Sequence, residues 1–265
     1  MEQPIHITPE ISHKLYYEYN MSFNGVANQF GCCTNTARNM VIKCGEYQVK
    51  TPLMYKNPNL IENFFEIIDN EYKAYILGLM ITDGSVGCYD NSYQVRIQLK
   101  AEDGYLLQQI SDIIGNSNNL IIDNRDGSFC ISIKSFKMFC DLSQYGVIPN
   151  KTFYTFLPFL HDDLMPHLIR GLIDGDGWVT HNIKSNGKVG YAVGFCGTRN
   201  IVTQVRDYLV HRLGLFESKI YDRPTVSQVT WCSKNDIIKI YNYLYSNCNI
   251  FMSRKRNVYD MIFNH

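Results

Sequence analysis

The apolar positions of this chain change period along its length, and the changes mark out its elements. Tyr93, Val95, Ile97 and Leu99 alternate with Gln94, Arg96, Gln98 and Lys100, which predicts a strand with one covered face in an antiparallel sheet. Phe129, Ile131 and Ile133 repeat the alternation against Ser128, Cys130, Ser132 and Lys134. Between them Tyr105, Leu106, Gln109, Ile110, Ile113 and Ile114 follow helical spacing, and Gly115 supplies a stop. Further along, Val189, Tyr191, Val193 and Phe195 predict a strand, Asn200 to about Leu213 a helix, and Val229 with Trp231 a later strand.

Each of these series follows an apolar, helix-like run ending in Asp-Gly: Ala74 to Gly84 in one case, His167 to Gly177 in the other. The terminal aspartates, Asp83 and Asp176, lie 93 positions apart. The chain therefore holds one pattern twice, helix–strand–strand–helix–strand–strand–helix, an α+β arrangement by duplication. Ahead of it, Glu10 to about Tyr19 predicts a helix, followed by a short helix containing Val26 and Ala27, a turn at Gly31 and a helix starting near Thr34. Val26, Ala27, Phe30, Ala37, Val41 and Ile42 form the expected core of this segment. Thr51-Pro52 and Asn57-Pro58 interrupt helices. The expected organisation is a helical domain over 1–47, a linker over 48–70, and repeats over 71–155 and 156–265.

Composition narrows the class without deciding it. With 265 residues, 45% hydrophobic and 19% charged, the chain is globular rather than disordered or fibrous. It has no apolar run of the roughly 18 residues that a membrane span needs. The start does not read as a secretory signal. Nine cysteines without a Cys-x-x-Cys pair suggest reduced thiols in an intracellular protein. The net charge is zero, yet residues 56–150 carry five excess acidic groups and residues 151–265 five excess basic ones. A neutral total can thus hide a basic face.

Ala74, Gly78 and Thr82 recur every four residues, as do Gly171 and Gly175, so each run has a small-residue stripe on which helix backbones can approach closely. Gly84 and Gly177 fall where a left-handed residue often closes a helix. An aspartate in the last helical turn faces the negative end of the macrodipole, at a cost on the order of 0.3–1 kcal/mol. Side by side, the two helices bring Asp83 and Asp176 together beside free carbonyls. That is poor for stability and suitable for a hard divalent cation. One such aspartate reads as a cap or turn; the pair in register points to function.

The runs Leu77-Gly78-Leu79-Met80-Ile81-Thr82-Asp83-Gly84 and Ile169-Arg170-Gly171-Leu172-Ile173-Asp174-Gly175-Asp176-Gly177 resemble the two signature motifs of the monomeric LAGLIDADG homing endonucleases. Ile81 stands where the first signature has its inner aspartate. The resemblance covers Glu71 to His265, about three quarters of the chain. It implies two pseudo-symmetric αββαββα halves with antiparallel saddle-shaped sheets, preceded here by the small helical domain. It also implies a monomeric, site-specific endonuclease that breaks both strands of a long, partly degenerate DNA target using Mg²⁺ or another divalent cation such as Mn²⁺. The setting would be a bacterial or phage-infected cell, or an organelle.

By the same resemblance, Asp83 and Asp176 are metal-binding carboxylates, with the backbone carbonyls of Thr82 and Gly175 as further ligands. Tyr145 to Thr152 looks like the segment that places a basic residue near the scissile phosphate, giving Lys151; Ile250 to Arg256 is similar, giving Lys255. The aspartate-to-lysine intervals, 68 and 79, require longer loops in repeat two. Gln98 resembles a residue that orders active-site water, and its counterpart falls near Cys196. Gln94, Arg96, Gln98, Lys100 and Lys134 are the expected DNA readers of repeat one. Repeat two offers Lys188, Gln228 and Thr230 beside Gly190, Ala192 and Gly194, so it is expected to hold DNA mainly through phosphates. The N-terminal segment resembles a helix-turn-helix, with Asn35, Thr36, Arg38 and Asn39 opening the recognition helix. A non-cleaving transcription regulator or RNA-splicing maturase on the same scaffold is the alternative; two retained terminal aspartates favour the enzyme.

Overall fold

The computed structural model describes residues 8–17, 23–44, 57, 59–89, 92–116, 121–122, 127–151, 154–183 and 189–263. The chain divides into two units, residues 1–58 and 59–265. In the first, α1 (Pro9–Tyr17), α2 (Phe23–Phe30) and α3 (Thr34–Lys43) surround Val26, Ala27, Ala37 and Val41. The turn between α2 and α3 uses Gly31 at φ +62°, a conformation that glycine adopts without cost. Ile42, expected in this core, is 40% exposed, because it lies one helical step beyond Val41 and off the buried stripe.

The second unit contains the duplication. Its first copy runs α4 (Glu71–Thr82), β1 (Gly84–Tyr89), β2 (Ser92–Leu99), α5 (Gly104–Ile114), β3 (Ile121–Ile122), β4 (Phe129–Lys134) and α6 (Phe136–Gln144). The second runs α7 (Met165–Asp176), β5 (Gly177–Ile183), β6 (Val189–Gly197), α8 (Arg199–Leu213), β7 (Tyr221–Asp222), β8 (Ser227–Trp231) and α9 (Lys234–Tyr245), with an additional α10 (Ser253–Phe263). Each copy folds one four-stranded antiparallel sheet, ordered β1-β2-β4-β3 and β5-β6-β8-β7. Gly84 pairs with Ile97, and Gly177 with Phe195, so the two registers coincide and place Gln98 and Cys196 at equivalent positions.

Local chemistry fixes many of the boundaries. The side chains of Asn70, Ser135, Thr198 and Ser233 each accept from a backbone N–H three residues on, starting α4, α6, α8 and α9. Gly115 closes α5 at φ +72° as expected. The alternation in β2 buries Val95, Ile97 and Leu99 and leaves Arg96 on the opposite, exposed face.

Two expectations need correction. Gly84 and Gly177 are not left-handed closures: both begin strands, and Gly177 is extended at φ −94° and ψ 174°. Glycine is needed there for proximity, since a Cβ would lie 2.6 Å from Met80 O at Gly84 and 2.5 Å from Ile173 O at Gly177. Residues 59–70, read as part of the linker, instead pack onto the first repeat, with Phe64, Phe65 and Ile68 buried and the Ile61 N–H bonded to Ile114 O at 3.0 Å.

The small-residue stripes do bring α4 and α7 together. A Cβ on Gly78 would lie 2.4 Å from Leu168 O, and one on Gly171 would lie 2.2 Å from Tyr75 O. Backbone meets backbone here. Gly175 instead meets a side chain, its would-be Cβ 2.0 Å from Thr82 Oγ1.

Candidate active site at the ends of the paired helices

Because α4 and α7 touch through glycine, both terminal aspartates are carried to one place. Asp83 caps α4, its N–H bonded to Leu79 O at 2.9 Å, and Asp176 is the last residue of α7. A Cβ on Gly175 would lie 2.7 Å from Asp83 Oδ2, so the two helix ends interlock at the carboxylate itself. Burial pushes the Asp83 carboxyl up to about 6, with the charge of Asp176 adding to the rise and Lys255 and Lys151 opposing it. Asp176 is exposed as a residue, yet burial of its carboxyl raises it as well, against Lys151 and Lys255.

Each expected lysine lies on the end of its own motif helix. Lys151 Nζ donates to Thr82 O at 2.9 Å, and burial lowers its pKa. Lys255 is 5% exposed and donates to the carbonyls of Ile173 (2.8 Å), Asp174 (2.6 Å), Gly175 (3.2 Å) and Gly177 (2.6 Å). Burial brings it down to about 8, against the attraction of Asp174. The carbonyls of Thr82 and Gly175, expected as metal ligands, therefore accept from lysine, each with a second lone pair remaining.

Three side chains that sequence reasoning left without a role set up this geometry. Asp174 is fully buried and accepts from Tyr75 OH (2.8 Å), Tyr245 OH (2.7 Å) and the Met252 N–H (2.8 Å), which fixes the entry to α10 and hence Lys255. Replacing it with alanine strands two buried hydroxyls and an amide, an expected loss of about 3–5 kcal/mol in urea unfolding; a loss under about 1 kcal/mol would mean that these groups find other partners. Arg170, also fully buried, donates to Leu244 O (2.6 Å), Ile250 O (3.0 Å) and Glu71 Oε1 (2.9 Å). Arg254 donates to Asp103 Oδ2 at 2.9 Å and borders a cavity of about 400 Å³ that it shares with Asp83, Gln98, Lys100 and Lys255.

No family model matches the sequence, and a search of curated proteins finds no relative. Solved structures do match. The I-LtrWI LAGLIDADG homing endonuclease bound to target DNA has a TM-score of 0.52 at 13% identity, covering 73% of this chain and 90% of that one. I-SmaMI bound to an uncleaved DNA target in the presence of calcium ions has a TM-score of 0.53 at 13% identity, covering 74% and 91%. The I-SmaMI LAGLIDADG homing endonuclease bound to cleaved DNA has a TM-score of 0.52 at 13% identity, covering 72% and 87%. The fold is that of the LAGLIDADG homing endonucleases.

Within the LAGLIDADG fold, Gln98 Nε2 donates to Ser128 Oγ at 2.6 Å, leaving the amide oxygen available to accept. Its counterpart Cys196 turns its thiol onto Asp176 O at 3.1 Å. Gln94 and Arg96 lie on the open face of the first sheet, with Lys134 paired to Gln94, while Lys100 follows β2. In the second sheet, Gln228 pairs with Cys196 and accepts from Arg223 Nε at 3.1 Å, and Thr230 pairs with Gly194. Lys188 lies outside the described residues. In α3, Asn35, Arg38 and Asn39 are exposed, and the half-buried Thr36 meets Cys33 Sγ at 3.1 Å.

The open face of the second sheet is less bare than its sequence suggests. Trp178, beside the paired helix ends, lays its indole on Gly194. Among the described residues no group of three His, Cys, Asp or Glu side chains converges as a metal cage, and no helix is long and apolar enough to cross a membrane. Two carboxylates held above their ordinary pKa by burial, Asp83 also by the charge of Asp176, next to backbone carbonyls, nevertheless suit a hard cation that takes its remaining oxygens from water or phosphate.

Proposed function

We propose that this protein is a monomeric, site-specific homing endonuclease that hydrolyses both strands of a DNA duplex at a long, partly degenerate target. The observation that carries this reading is the carboxylate pair: glycine-to-glycine packing forces two like charges together at a cost that a purely structural contact would not retain. The match to the LAGLIDADG fold supports it. Asp83 and Asp176 would hold a divalent cation, Mg²⁺ or Mn²⁺, with Thr82 O and Gly175 O as further ligands. Such a cation lowers the pKa of bound water and stabilises the leaving oxygen of an in-line displacement.

The other roles belong to the chain's own side chains. Gln98, anchored through its amide nitrogen on Ser128, presents an oxygen that can orient a water beside Asp83. Lys151 and Lys255 set the ends of both helices and place positive charge beside the phosphates. Gln94, Arg96, Lys100 and Lys134 read or neutralise one half of the duplex. Gln228, Thr230 and Lys188 serve the other half. Asn35, Thr36, Arg38 and Asn39 would extend the contact from the N-terminal unit.

A second reading, a non-cleaving transcription regulator or maturase, draws on the fact that Lys151 and Lys255 already occupy the candidate ligand carbonyls. One experiment separates the two: incubate the protein with Mg²⁺ and a randomised duplex library, then sequence both bound molecules and cleaved ends. Enriched, discrete cut sites support the endonuclease. Enriched binding without cutting, in Mg²⁺ or Mn²⁺, supports the regulator. Modularity gives a further expected outcome: deleting residues 1–50 should leave a folded protein with weaker binding and a shorter footprint, and an unchanged footprint would remove the helix-turn-helix reading.

A further inference from the structure

The two sheets present unlike chemistry at equivalent positions. Where repeat one offers Gln94, Arg96 and Lys134, repeat two has Trp178, Thr180, Ala192 and Thr230 around the backbone of Gly190 and Gly194. Trp178 and Thr230 flank Gly194 in register, and Thr180 pairs with Ala192. A Cβ on Gly194 would lie 2.1 Å from Trp178 Cζ2, so the indole rests directly on the strand. Where side chains are lacking, the sheet leaves a depression of about 370 Å³, lined by Thr180, Gly190 and Ala192 and reached by Lys234.

Laying an aromatic ring on a sheet glycine covers bare backbone, and that alone accounts for the contact. It does not account for Trp178, Thr180, Ala192 and Thr230 all remaining only half-buried on one face of the sheet. Of their side-chain heavy atoms only the indole nitrogen and two hydroxyl oxygens can hydrogen-bond; the rest are carbon. The major-groove feature that carbon surface fits is the C5-methyl of thymine, which apolar side chains and threonine methyls contact directly. We infer that the repeat-two sheet reads its half-site through thymine methyl groups, with Trp178 as the specificity-determining side chain and Lys234 placed for a phosphate at the rim. This inference rests on the proposed reading of the protein as a DNA-binding endonuclease.

The test uses the full-length protein and its library-selected duplex. Bases whose discrimination is lost in Arg96→Ala mark the half under repeat one. Each thymine is then replaced singly by uracil, which keeps every hydrogen-bonding group and removes only the methyl. Uracil in the repeat-two half should weaken binding about fourfold at one or more positions, the value of one buried methyl-sized group. Under repeat one the same change should have no measurable effect. Trp178→Ala should abolish the penalty at one position; Thr230→Ser, which removes only a side-chain methyl, does the same on a smaller scale if the tryptophan variant misfolds. Uracil tolerance throughout the repeat-two half, or a selected site without thymine there, overturns the inference and leaves the endonuclease reading intact. Failure of the library to enrich any duplex overturns both.

Discussion

Replacing Asp83 with asparagine is expected to abolish double-strand cleavage and, in metal-free buffer, to make the protein more stable. Cleavage should fall by about a thousandfold or more, the scale on which a charge-stabilising group acts, while DNA binding is largely retained. The stabilisation follows from the crowding at the helix ends. The folded carboxyl holds its proton up to about 6, whereas an unfolded one releases it near 3.8. The folded state therefore binds more protons between those values, and stability falls as pH rises through that window.

Asparagine keeps the shape and removes the charge, so this falling limb should flatten. The gain near neutrality is about 1–3 kcal/mol, which raises the melting temperature by about 2–12 °C for a unit of this size. Calorimetry in chelator, paired with a cleavage assay in Mg²⁺, reads both effects. Mg²⁺-dependent cutting of both strands by the variant, or a lowered melting temperature, would refute the assignment. Asp176→Asn should show the same loss of cleavage.

The second large effect is expected at Gly171. Valine there would bring its Cβ within 2.2 Å of Tyr75 O and 2.9 Å of Gly78 Cα, both backbone atoms with nowhere to go. The helices must separate, and the loss should be at least about 3 kcal/mol, beyond ordinary overpacking. Gly214 provides the contrast: it closes α8 at φ +58° with nothing within 4 Å of a Cβ, so asparagine, which tolerates that conformation, should cost about 1 kcal/mol or less. Equal urea midpoints for the two variants would show that the glycine contact is not what joins the repeats.

Features set by near neighbours were legible in the sequence. Alternation in β2, the stop at Gly115 and the turn at Gly31 each depend on a few adjacent residues and match the structure. In β4, by contrast, Cys130, expected on the open face, is buried and Phe129 only half-buried. The duplicated Asp-Gly helices were legible because their pattern occurs twice. Features decided across the fold were misread or missed. Gly84 and Gly177 looked like helix stops because the backbone atoms crowding them are not evident from local spacing. Phe64, Phe65 and Ile68 were lost in a segment whose prolines dominated the reading. Lys255 grips carbonyls some eighty residues away, and Trp178 covers a glycine on the neighbouring strand; neither partnership leaves a periodic trace. Arg170 stands within the motif, yet nothing adjacent announces its bonds to Leu244 and Ile250.

The contact of Gly78 with Gly171 also makes the helix pair a gauge. Where side chains separate two helices, their spacing drifts whenever a leucine becomes a methionine or a valine. Here the closest approach is main chain against main chain, a dimension set by atomic radii that no side-chain repacking can lengthen. The distance across which Asp83 and Asp176 face one another is therefore insulated from change in the sheets. Strand faces as different as Gln94-Arg96-Gln98 and Ala192-Gly194-Cys196 can diverge freely, each altering what its sheet touches, while the interval between the two carboxylates stays as the glycines set it.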